Sequence, residues 1–258
     1  HDRGVKIRGE NHEAAPRYAG VTVKNCKIAP SPEWMQNCLR AAGINPKNNL
    51  VDITNFVLFE LGQPLHAFDA AKIEGREVVV RTCAEGTPFV TLDGVERKLT
   101  ADDLMICSAE RPMCIAGVFG GLDSGISDTT TDVFIESAYF NPVWVRKTAK
   151  RFGLNTDSSF RFERGVDPNM QVYAAKRAAL LMKELAGGEI SSDITDIYPA
   201  PIEDFRFDVS FARIDALIGK HIPEETVRAI LAALEVKVLD EKDGVLSVAV
   251  PPYRVDVQ

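Results

Sequence analysis

The sequence has few residues that could build a metal site or a disulfide framework. It contains four histidines, none spaced as a helical pair, and five cysteines without a Cys-x-x-Cys motif. An odd number of scattered cysteines favours neither disulfide bonds nor a zinc site. We therefore expect no bound metal, and we expect the thiols to be reduced and buried at Cys26, Cys38, Cys83, Cys107 and Cys114.

Long apolar runs are also missing. No stretch approaches the roughly 20 apolar residues that a membrane-spanning helix needs, and residues 1–6 lack the apolar core of a signal peptide. We expect no membrane association and a cytoplasmic location. The chain begins without Met and ends within the apolar-patterned segment 250–257, which is typical of a fragment of a longer protein.

The chain has fewer basic than acidic residues, with 30 Lys and Arg against 37 Asp and Glu. The formal net charge is −7, which argues against non-specific nucleic-acid binding, because that affinity comes from cations that neutralise phosphates. Any RNA contact must be local, and the best candidate is the helix-like run 143–151 with Arg161 and Arg164. A solvated helix face remains the simpler explanation for any one of these cations. DNA binding by residues 205–258 is not favoured, because no cationic stripe is formed by Lys220, His221 and Lys237.

The composition and the order of patterned segments predict the fold class. With 258 residues, of which 45% are hydrophobic and 26% charged, the chain can bury a substantial core in one large or two smaller domains. We predict an α+β fold of mixed and antiparallel sheets with packed helices, followed by a small α+β module. The expected boundaries are a linker tail over residues 1–17, a large domain over 18–199 and the small module over 200–258.

Strand patterns dominate the middle of the large domain. Alternating or short apolar runs predict strands near residues 18–23, 78–80, 89–92, 104–107, 113–117 and 133–136. Asp93-Gly94 is a strong hairpin signal between two of them. In the small module, the same reasoning predicts a strand at 205–210 and a hairpin over 236–250 around Asp243-Gly244.

Helical spacing marks the remaining segments. We predict one helix from an N-cap at Ser31 to about Gly43, and a second over residues 50–61 that Gly62 ends, with His66 on the loop beyond it. A long helix is expected over about 169–186, opened by Pro168 and ended by Gly187-Gly188. The small module should add helices over 212–218 and 223–234.

Two separated motifs carry a family resemblance. Residues 156–168 read Thr-Asp-Ser-Ser-Phe-Arg-Phe-Glu-Arg-Gly-Val-Asp-Pro, and residues 62–69 read Gly-Gln-Pro-Leu-His-Ala-Phe-Asp. Both resemble motifs of the bacterial phenylalanyl-tRNA synthetase β subunit, and the likeness extends from about residue 18 to the end of the chain. It implies the editing region of that subunit, called B3/B4, followed by part of its B5 domain.

The resemblance implies proofreading and not amino-acid activation. The family's editing domain hydrolyses tyrosine wrongly attached to phenylalanine tRNA, with positioned water and with no cofactor in this region. ATP and Mg²⁺ are implied only for the whole synthetase, which charges tRNA for translation. The implied partners are the tRNA 3′ end carrying tyrosine and the synthetase α subunit, in an α2β2 heterotetramer. The alternative is a non-catalytic scaffold or tRNA-binding module whose editing site has decayed.

Glu136 ends a short apolar strand pattern, which is typical of a carboxylate delivered to a sheet end or pocket. Without the resemblance, an arginine-paired carboxylate would be the better interpretation. By resemblance, Glu136 matches the glutamate that accepts the tyrosine hydroxyl, and phenylalanine would leave such a buried partner unpaired. The resemblance also assigns Ala116 and Gly117 to the pocket floor, with Gly117 against the tyrosine ring, so that bulk there should close the pocket. A bend between buried strands would explain the same glycine.

The expected catalytic residues are His66, Thr54 and Asn55. By resemblance they match polar residues near the terminal adenosine and the scissile ester. An aminoacyl ester is already reactive, so imidazole, hydroxyl and amide groups suffice to position water and stabilise the oxyanion. We expect His66 to orient water or the tRNA 3′ end, whereas the residue pattern alone favours a structural loop histidine.

Thr156 and Ser158 complete the substrate-binding residues implied by the resemblance. The family commonly has alanine where this chain has Ser158, and histidine where it has Phe160. Ser158 adds a hydroxyl beside the amino-acid ring, which bears on selectivity. Phe160 is expected to pack against apolar neighbours, and an ion-pair network that holds the loop is expected from Arg161, Glu163, Arg164 and Asp167.

Overall fold

The structure is a computed structural model that describes residues 4–257. The chain divides into two compact units, His1–Ala200 and Pro201–Gln258. Helices of the first unit are α1 (Glu33–Ala41), α2 (Asn49–Leu61), α3 (Pro142–Phe152), α4 (Asp157–Phe162) and α5 (Gln171–Ala186). Its strands are β1 (Lys6–Gly9), β2 (Arg17–Lys24), β3 (Leu65–Asp69), β4 (Glu77–Thr82), β5 (Pro88–Val90), β6 (Glu96–Lys98), β7 (Leu104–Cys107), β8 (Pro112–Ile115), β9 (Phe119–Gly120), β10 (Val133–Tyr139), β11 (Glu189–Ile190) and β12 (Thr195–Ile197).

Two sheets form the framework of the first unit. Sheet A has the order β1-β4-β7-β8-β9, in which β1 runs parallel to β4 and the other pairs are antiparallel. Sheet B has the order β11-β2-β10-β3, with β12 also paired to β2, and is antiparallel throughout. The expected α+β class with mixed and antiparallel sheets is confirmed.

Strand alternation in β10 separates two hydrophobic cores. Successive side chains of a strand point to opposite faces. Val133 and Ile135 are fully buried in the core that also contains residues of α2 and α5. Phe134 belongs instead to the core shared with sheet A, so Glu136, two residues further on, also points between the two sheets. The strand continues to Tyr139, so Glu136 lies inside it and not at its end.

Local capping signals explain the main helices. Asn48 accepts a hydrogen bond from the Val51 amide at the start of α2, and Gly62 ends the helix in the left-handed region with φ 70°. These contacts satisfy backbone groups that a helix end leaves free, and the predicted helix over 50–61 is confirmed. The long helix α5 also ends where expected, at Gly187, although it begins at Gln171, three residues after Pro168.

Two predictions near the N-terminus are wrong. Within the expected linker tail, β1 adds a parallel strand to sheet A through residues paired with Glu77–Val80. The sequence pattern does not predict β1, because an edge strand buries little side-chain surface and this one has few apolar residues. Ser31 does not cap α1, whose N-cap is Pro32 without a side-chain bond. The Ser31 hydroxyl donates instead to the buried Asp52 carboxylate at 2.6 Å, which lies on α2.

The second unit contains β13 (Phe205–Ser210), α6 (Phe211–Ile218), α7 (Glu224–Ala233), β14 (Lys237–Lys242) and β15 (Val245–Val250). The strands pair antiparallel in the order β13-β15-β14. Asp243 and Gly244 make the predicted hairpin turn with φ values of 51° and 74°. Its core includes Phe211, Val227 and Leu246, and the predicted secondary structure of this module is confirmed.

Candidate functional site

Strand register brings Glu136 and His66 side by side. His66 lies within β3, directly opposite Glu136 of β10. The sequence prediction of a loop position for His66 is therefore wrong. The prediction failed because β3 forms by pairing with the distant strand β10, and residues 62–69 alone do not indicate which strand they pair with. Directly opposite residues of an antiparallel pair share a face, so both side chains point toward sheet A.

The Glu136 carboxyl binds a phenol of the chain itself. Tyr18, from the neighbouring strand β2, donates its hydroxyl to Glu136 Oε2 at 2.7 Å. Tyr18 and Glu136 are 2% and 5% exposed. Burial raises the pKa of Glu136 to about 7, and the hydrogen bond from Tyr18 partly offsets this rise. Burial, followed by the nearby Glu136 charge, raises the pKa of Tyr18, so the phenol remains a hydrogen-bond donor.

His66 contributes a neutral imidazole with an unused nitrogen. Its Nε2 is buried and has no hydrogen-bond partner in the part of the chain that the structure describes. The ring stands edge-on to Phe68, with centroids 4.4 Å apart. Burial lowers the pKa of His66 to about 4. A buried, unpartnered nitrogen costs free energy, and it is therefore a candidate contact for a bound water or ligand.

Gly120 is a site residue that the sequence analysis did not single out. A Cβ at this position would lie 3.1 Å from His66 Cε1 and 3.7 Å from His66 Nε2. Gly120 is paired with Cys114 across β8 and β9. The absence of a side chain on Gly120 lets this hairpin of sheet A lie close over the His66 ring. The Gly-Gly pair at 120–121 was the available sequence signal.

Cys114 lies beside Glu136 but is not suited to nucleophilic chemistry. Burial, and secondarily the Glu136 charge, raises the pKa of the Cys114 thiol well above its usual value. The thiol donates weakly to the carbonyls of Ile115 and Phe119, both at 3.4 Å. A nucleophilic cysteine needs the thiolate form, which these surroundings disfavour.

Gly117 lies against the hydrophobic core, and its place beside a tyrosine ring stays a prediction. Its φ is 68°, in the region that favours glycine, and an added Cβ would meet Phe140 Cδ2 and Phe162 Cδ2 at 2.9 Å. Both rings are buried in the core between the sheets and α4. Bulk at Gly117 would thus collide with the core packing, whereas Gly120 is the glycine that faces His66. Ala116, beside it, is 3% exposed.

Thr156 and Ser158 lie at the start of α4. Thr156 is the N-cap and forms a reciprocal capping box with Ser159. Its hydroxyl also donates to the Val118 carbonyl at 2.8 Å, which ties α4 to the turn that contains Gly117. Ser158 is half-buried in the first turn of the helix. The structure thus brings Ala116, Gly117 and Thr156 together.

The expected packing of Phe160 and the expected ion-pair network are wrong. Phe160 is 47% exposed, because residues 157–162 form a helix, in which positions two apart face different directions. Arg161 lies 3.7 Å from Asp157, and Arg164 pairs with Glu163 at 2.9 Å. Asp167 accepts from the amide of Asn169 instead. The result is two separate local pairs and no network.

Thr54 and Asn55 lie on α2, which packs on the opposite face of sheet B. Thr54 is buried, and its hydroxyl donates to the Val51 carbonyl at 2.7 Å within the helix. Asn55 is half-buried. Within residues 4–257, no hydrogen bond connects either side chain to His66 or Glu136. The structure therefore places His66 beside Glu136, and the role of the α2 residues stays a prediction.

Metal-ligand clusters, membrane-spanning helices and the state of the cysteines can be read directly from the described residues. Within residues 4–257 no group of three or more His, Cys, Asp or Glu side chains could hold a metal ion. No helix in the same range is long and apolar enough to cross a membrane. The five cysteines are free, and four are buried, whereas Cys38 is exposed, contrary to expectation.

The site combines a buried carboxylate, a phenol donor and a neutral imidazole. It has hydrogen-bonding groups for a polar ligand but no activated nucleophile. Comparisons with known proteins assign the class. Residues 14–187 match the family model described as the B3/4 domain, and residues 207–258 match that of the tRNA synthetase B5 domain.

Similar individual proteins show which tRNA synthetase these domains come from. The phenylalanine–tRNA ligase β subunit of Bacteroides fragilis is 61% identical over 100% of this chain, and that of Porphyromonas gingivalis is 54% identical over 99%. The chain covers 32% and 31% of those proteins, about a third of their length. The chain belongs to the phenylalanyl-tRNA synthetase β-subunit family, of which it carries the B3/4 and B5 domains.

A solved structure supports the fold. An N-terminal fragment of the phenylalanyl-tRNA synthetase β subunit from Pyrococcus horikoshii aligns with a TM-score of 0.50 and 13% sequence identity. The alignment covers 100% of this chain and 71% of the archaeal chain. At this level of identity the likeness concerns the fold alone.

Proposed function

We propose that this chain is the editing part of a phenylalanyl-tRNA synthetase and hydrolyses tyrosine esterified to phenylalanine tRNA. One observation carries the proposal: Glu136, 5% exposed, already accepts a hydrogen bond from a phenol. Its other oxygen, Oε1, has no hydrogen-bond partner in the part of the chain that is described. The hydroxyl of a tyrosyl substrate has the same chemistry as that of Tyr18 and would bind this free oxygen.

The arrangement would select tyrosine over phenylalanine. An apolar pocket alone distinguishes the two poorly, because rejecting an added hydroxyl is worth only about a hundredfold. A buried carboxyl reverses the preference, since a phenylalanine ring would leave the enclosed oxygen unpaired. The Glu136 site would thereby remove tyrosine that the synthetic pocket for phenylalanine has attached to the tRNA by mistake.

Water would cleave the ester without a covalent intermediate. With a pKa of about 4, His66 is a weak base, so its role is to orient water or the tRNA 3′ end through Nε2. Thr54 and Asn55 would contact the terminal adenosine from α2, beside the edge strand β3.

The remaining partners belong to the whole enzyme. We propose that the chain acts within an α2β2 synthetase, with the α subunit and the body of the tRNA bound outside this region. ATP and Mg²⁺ serve the synthetic reaction and have no role at Glu136. The full enzyme is therefore the right material for an activity assay.

A scaffold function is the second candidate, and one observation favours it. The Tyr18–Glu136 pair is buried and satisfies one carboxyl oxygen without any substrate. Such a pair would also persist in a domain whose editing site has decayed. The two functions differ in whether Glu136 affects hydrolysis.

Deacylation of preformed tyrosyl-tRNA and phenylalanyl-tRNA, both on phenylalanine tRNA, tests the proposal. We expect the assembled α2β2 enzyme to hydrolyse the tyrosyl ester selectively. Glu136→Ala should reduce that selectivity by about tenfold or more, the value of a hydrogen bond to a charged group. Glu189→Ala, at an exposed glutamate on β11, is the matched control. Equal, slow loss of both esters with wild type and Glu136→Ala would leave the scaffold function.

A further inference from the structure

Aromatic rings and guanidinium groups alternate on the surface beside the candidate site. The Arg161 guanidinium lies 4.8 Å from the Phe59 ring centroid and 6.0 Å from that of Phe160. The Arg164 guanidinium lies 3.7 Å from the Phe160 centroid, on the ring face. These four residues, Phe59, Arg161, Phe160 and Arg164, form a continuous series that we call the α4 stack.

The α4 stack is open to solvent. Phe160 is 47% exposed and Phe59 is 37% exposed, and the Arg164 side chain is 55% exposed. Rings that remain this exposed bury only part of their apolar surface on folding. Their free faces are available to a planar partner.

The charge around the α4 stack is opposite to that of the chain. Residues 142–164 contain six Lys or Arg and two Asp or Glu, whereas the whole chain has a net charge of −7. Arg161 and Arg164 are each near one carboxylate, those of Asp157 and Glu163. On the preceding helix α3, the exposed cations Arg146, Lys147 and Lys150 have no ion pair with any residue in 4–257. This excess of cations suits a polyanion.

Helical spacing places the α4 stack next to the candidate site residues. Phe59 follows Asn55 by four positions on α2, and Arg161 follows Ser158 by three on α4, so each pair shares a helix face. The contact between Arg161 and Phe59 therefore bridges α4 and α2. The stack begins beside Asn55 and Ser158 and continues outward to Phe160 and Arg164.

We propose that the α4 stack binds the single-stranded 3′ end of the tRNA, with a nucleobase stacked on Phe160 and a phosphate held by Arg164. Stacking on an aromatic or guanidinium plane accepts any base, and an arginine fork matches phosphate geometry. The inference rests on the proposed function, because it supplies contacts that would hold the mischarged 3′ end on the domain that carries Glu136. It assigns Phe160, where the family commonly has histidine, to RNA binding and not to packing.

The first test measures catalysis by the assembled enzyme. Phe160→Ala should raise the KM for tyrosyl-tRNA deacylation by roughly 5- to 150-fold, the range for loss of one stacked base. The preference for tyrosine over phenylalanine should not change, because Glu136 is untouched. Phe160→Trp should restore the KM. Tyr173→Ala removes an aromatic ring that is 61% exposed on α5 and should have no effect.

The second test does not depend on hydrolysis. Uncharged phenylalanine tRNA carrying 2-aminopurine as its terminal base loses fluorescence when that base stacks. We expect part of the quenching by wild-type enzyme to disappear in Phe160→Ala and to return in Phe160→Trp. Failure of editing alone would abolish deacylation in wild type and leave this signal. Unchanged KM and unchanged quenching in Phe160→Ala, or equal losses in Tyr173→Ala, would overturn the inference.

Discussion

Replacing Tyr18 by phenylalanine tests how the chain sets the protonation of Glu136. The change removes one hydroxyl, and with it the 2.7 Å hydrogen bond to Glu136 Oε2, while the ring can keep its place in the core. That bond favours the ionised carboxylate and holds the pKa of Glu136 down to about 7 against the effect of burial. Its loss should therefore raise the pKa further.

The size of the effect follows from the strength of the bond. A hydrogen bond to a charged group contributes about 1.5–3 kcal/mol, which corresponds to roughly one to two pKa units. At pH 7 the ionised fraction of Glu136 should fall from about half to a tenth or less. Tyrosyl-tRNA deacylation, if the carboxylate accepts the substrate phenol, should then fall about fivefold or more at pH 7 and recover as the pH rises.

The assay is kcat/KM for tyrosyl-tRNA deacylation between pH 6 and pH 8.5, corrected for spontaneous ester hydrolysis. Phenylalanyl-tRNA serves as the internal control, because its ring makes no hydrogen bond to Glu136. A shift of the profile toward higher pH for tyrosine alone is the expected result. Faster tyrosine deacylation at every pH would refute the reasoning, since it would mean that Tyr18 competes with the substrate for Glu136.

Three further predictions concern stability and the site. The pKa of Glu136 is about 7 in the folded chain against the ordinary 4.5, so stability falls as pH rises through this window. In urea unfolding, the free energy of unfolding of Glu136→Gln relative to that of wild type should rise by about 3 kcal/mol between pH 4.5 and pH 8. A difference between the two proteins that does not change with pH would contradict the burial argument. Gly117→Ala should cost about 2 kcal/mol or more, and Gly153→Ala, with φ 66° and open space, should cost less; equal thermal shifts would contradict the packing role of Gly117. Gly120→Ala should displace the His66 ring and slow tyrosyl-tRNA deacylation at little cost in stability. Gly125→Ala, where an added Cβ meets nothing within 4 Å, should leave the deacylation rate unchanged.

The sequence predicts the elements of this fold better than their contacts. The ends of α2 and α5 are local events, capped by Asn48 and by glycines in left-handed geometry, and short windows contain that information. The strand β3 depends on pairing with the distant strand β10, and the contact between Tyr18 and Glu136 joins residues 118 positions apart in the chain. Alternation places these residues on strands, but it does not state which strands are neighbours.

Phe160 illustrates a second limit. Alternation with Phe162 resembles a strand, yet the capping box of Thr156 and Ser159 starts a helix that turns the two rings in different directions. Gly117 shows a third limit of prediction from sequence. The sequence does not distinguish a glycine that makes room for a ligand from one that makes room for core side chains. The positions of Phe140 and Phe162 show the core contact, which short sequence windows do not contain.

The most direct measurement is a crystal structure of the assembled enzyme with a non-hydrolysable analogue, tyrosine joined by an amide to 3′-amino-adenosine. The account predicts the analogue's phenol oxygen within about 3 Å of Glu136 Oε1, with the amide carbonyl and its water near His66 Nε2. An analogue that binds elsewhere in the domain, or whose ring does not reach Glu136, would contradict it.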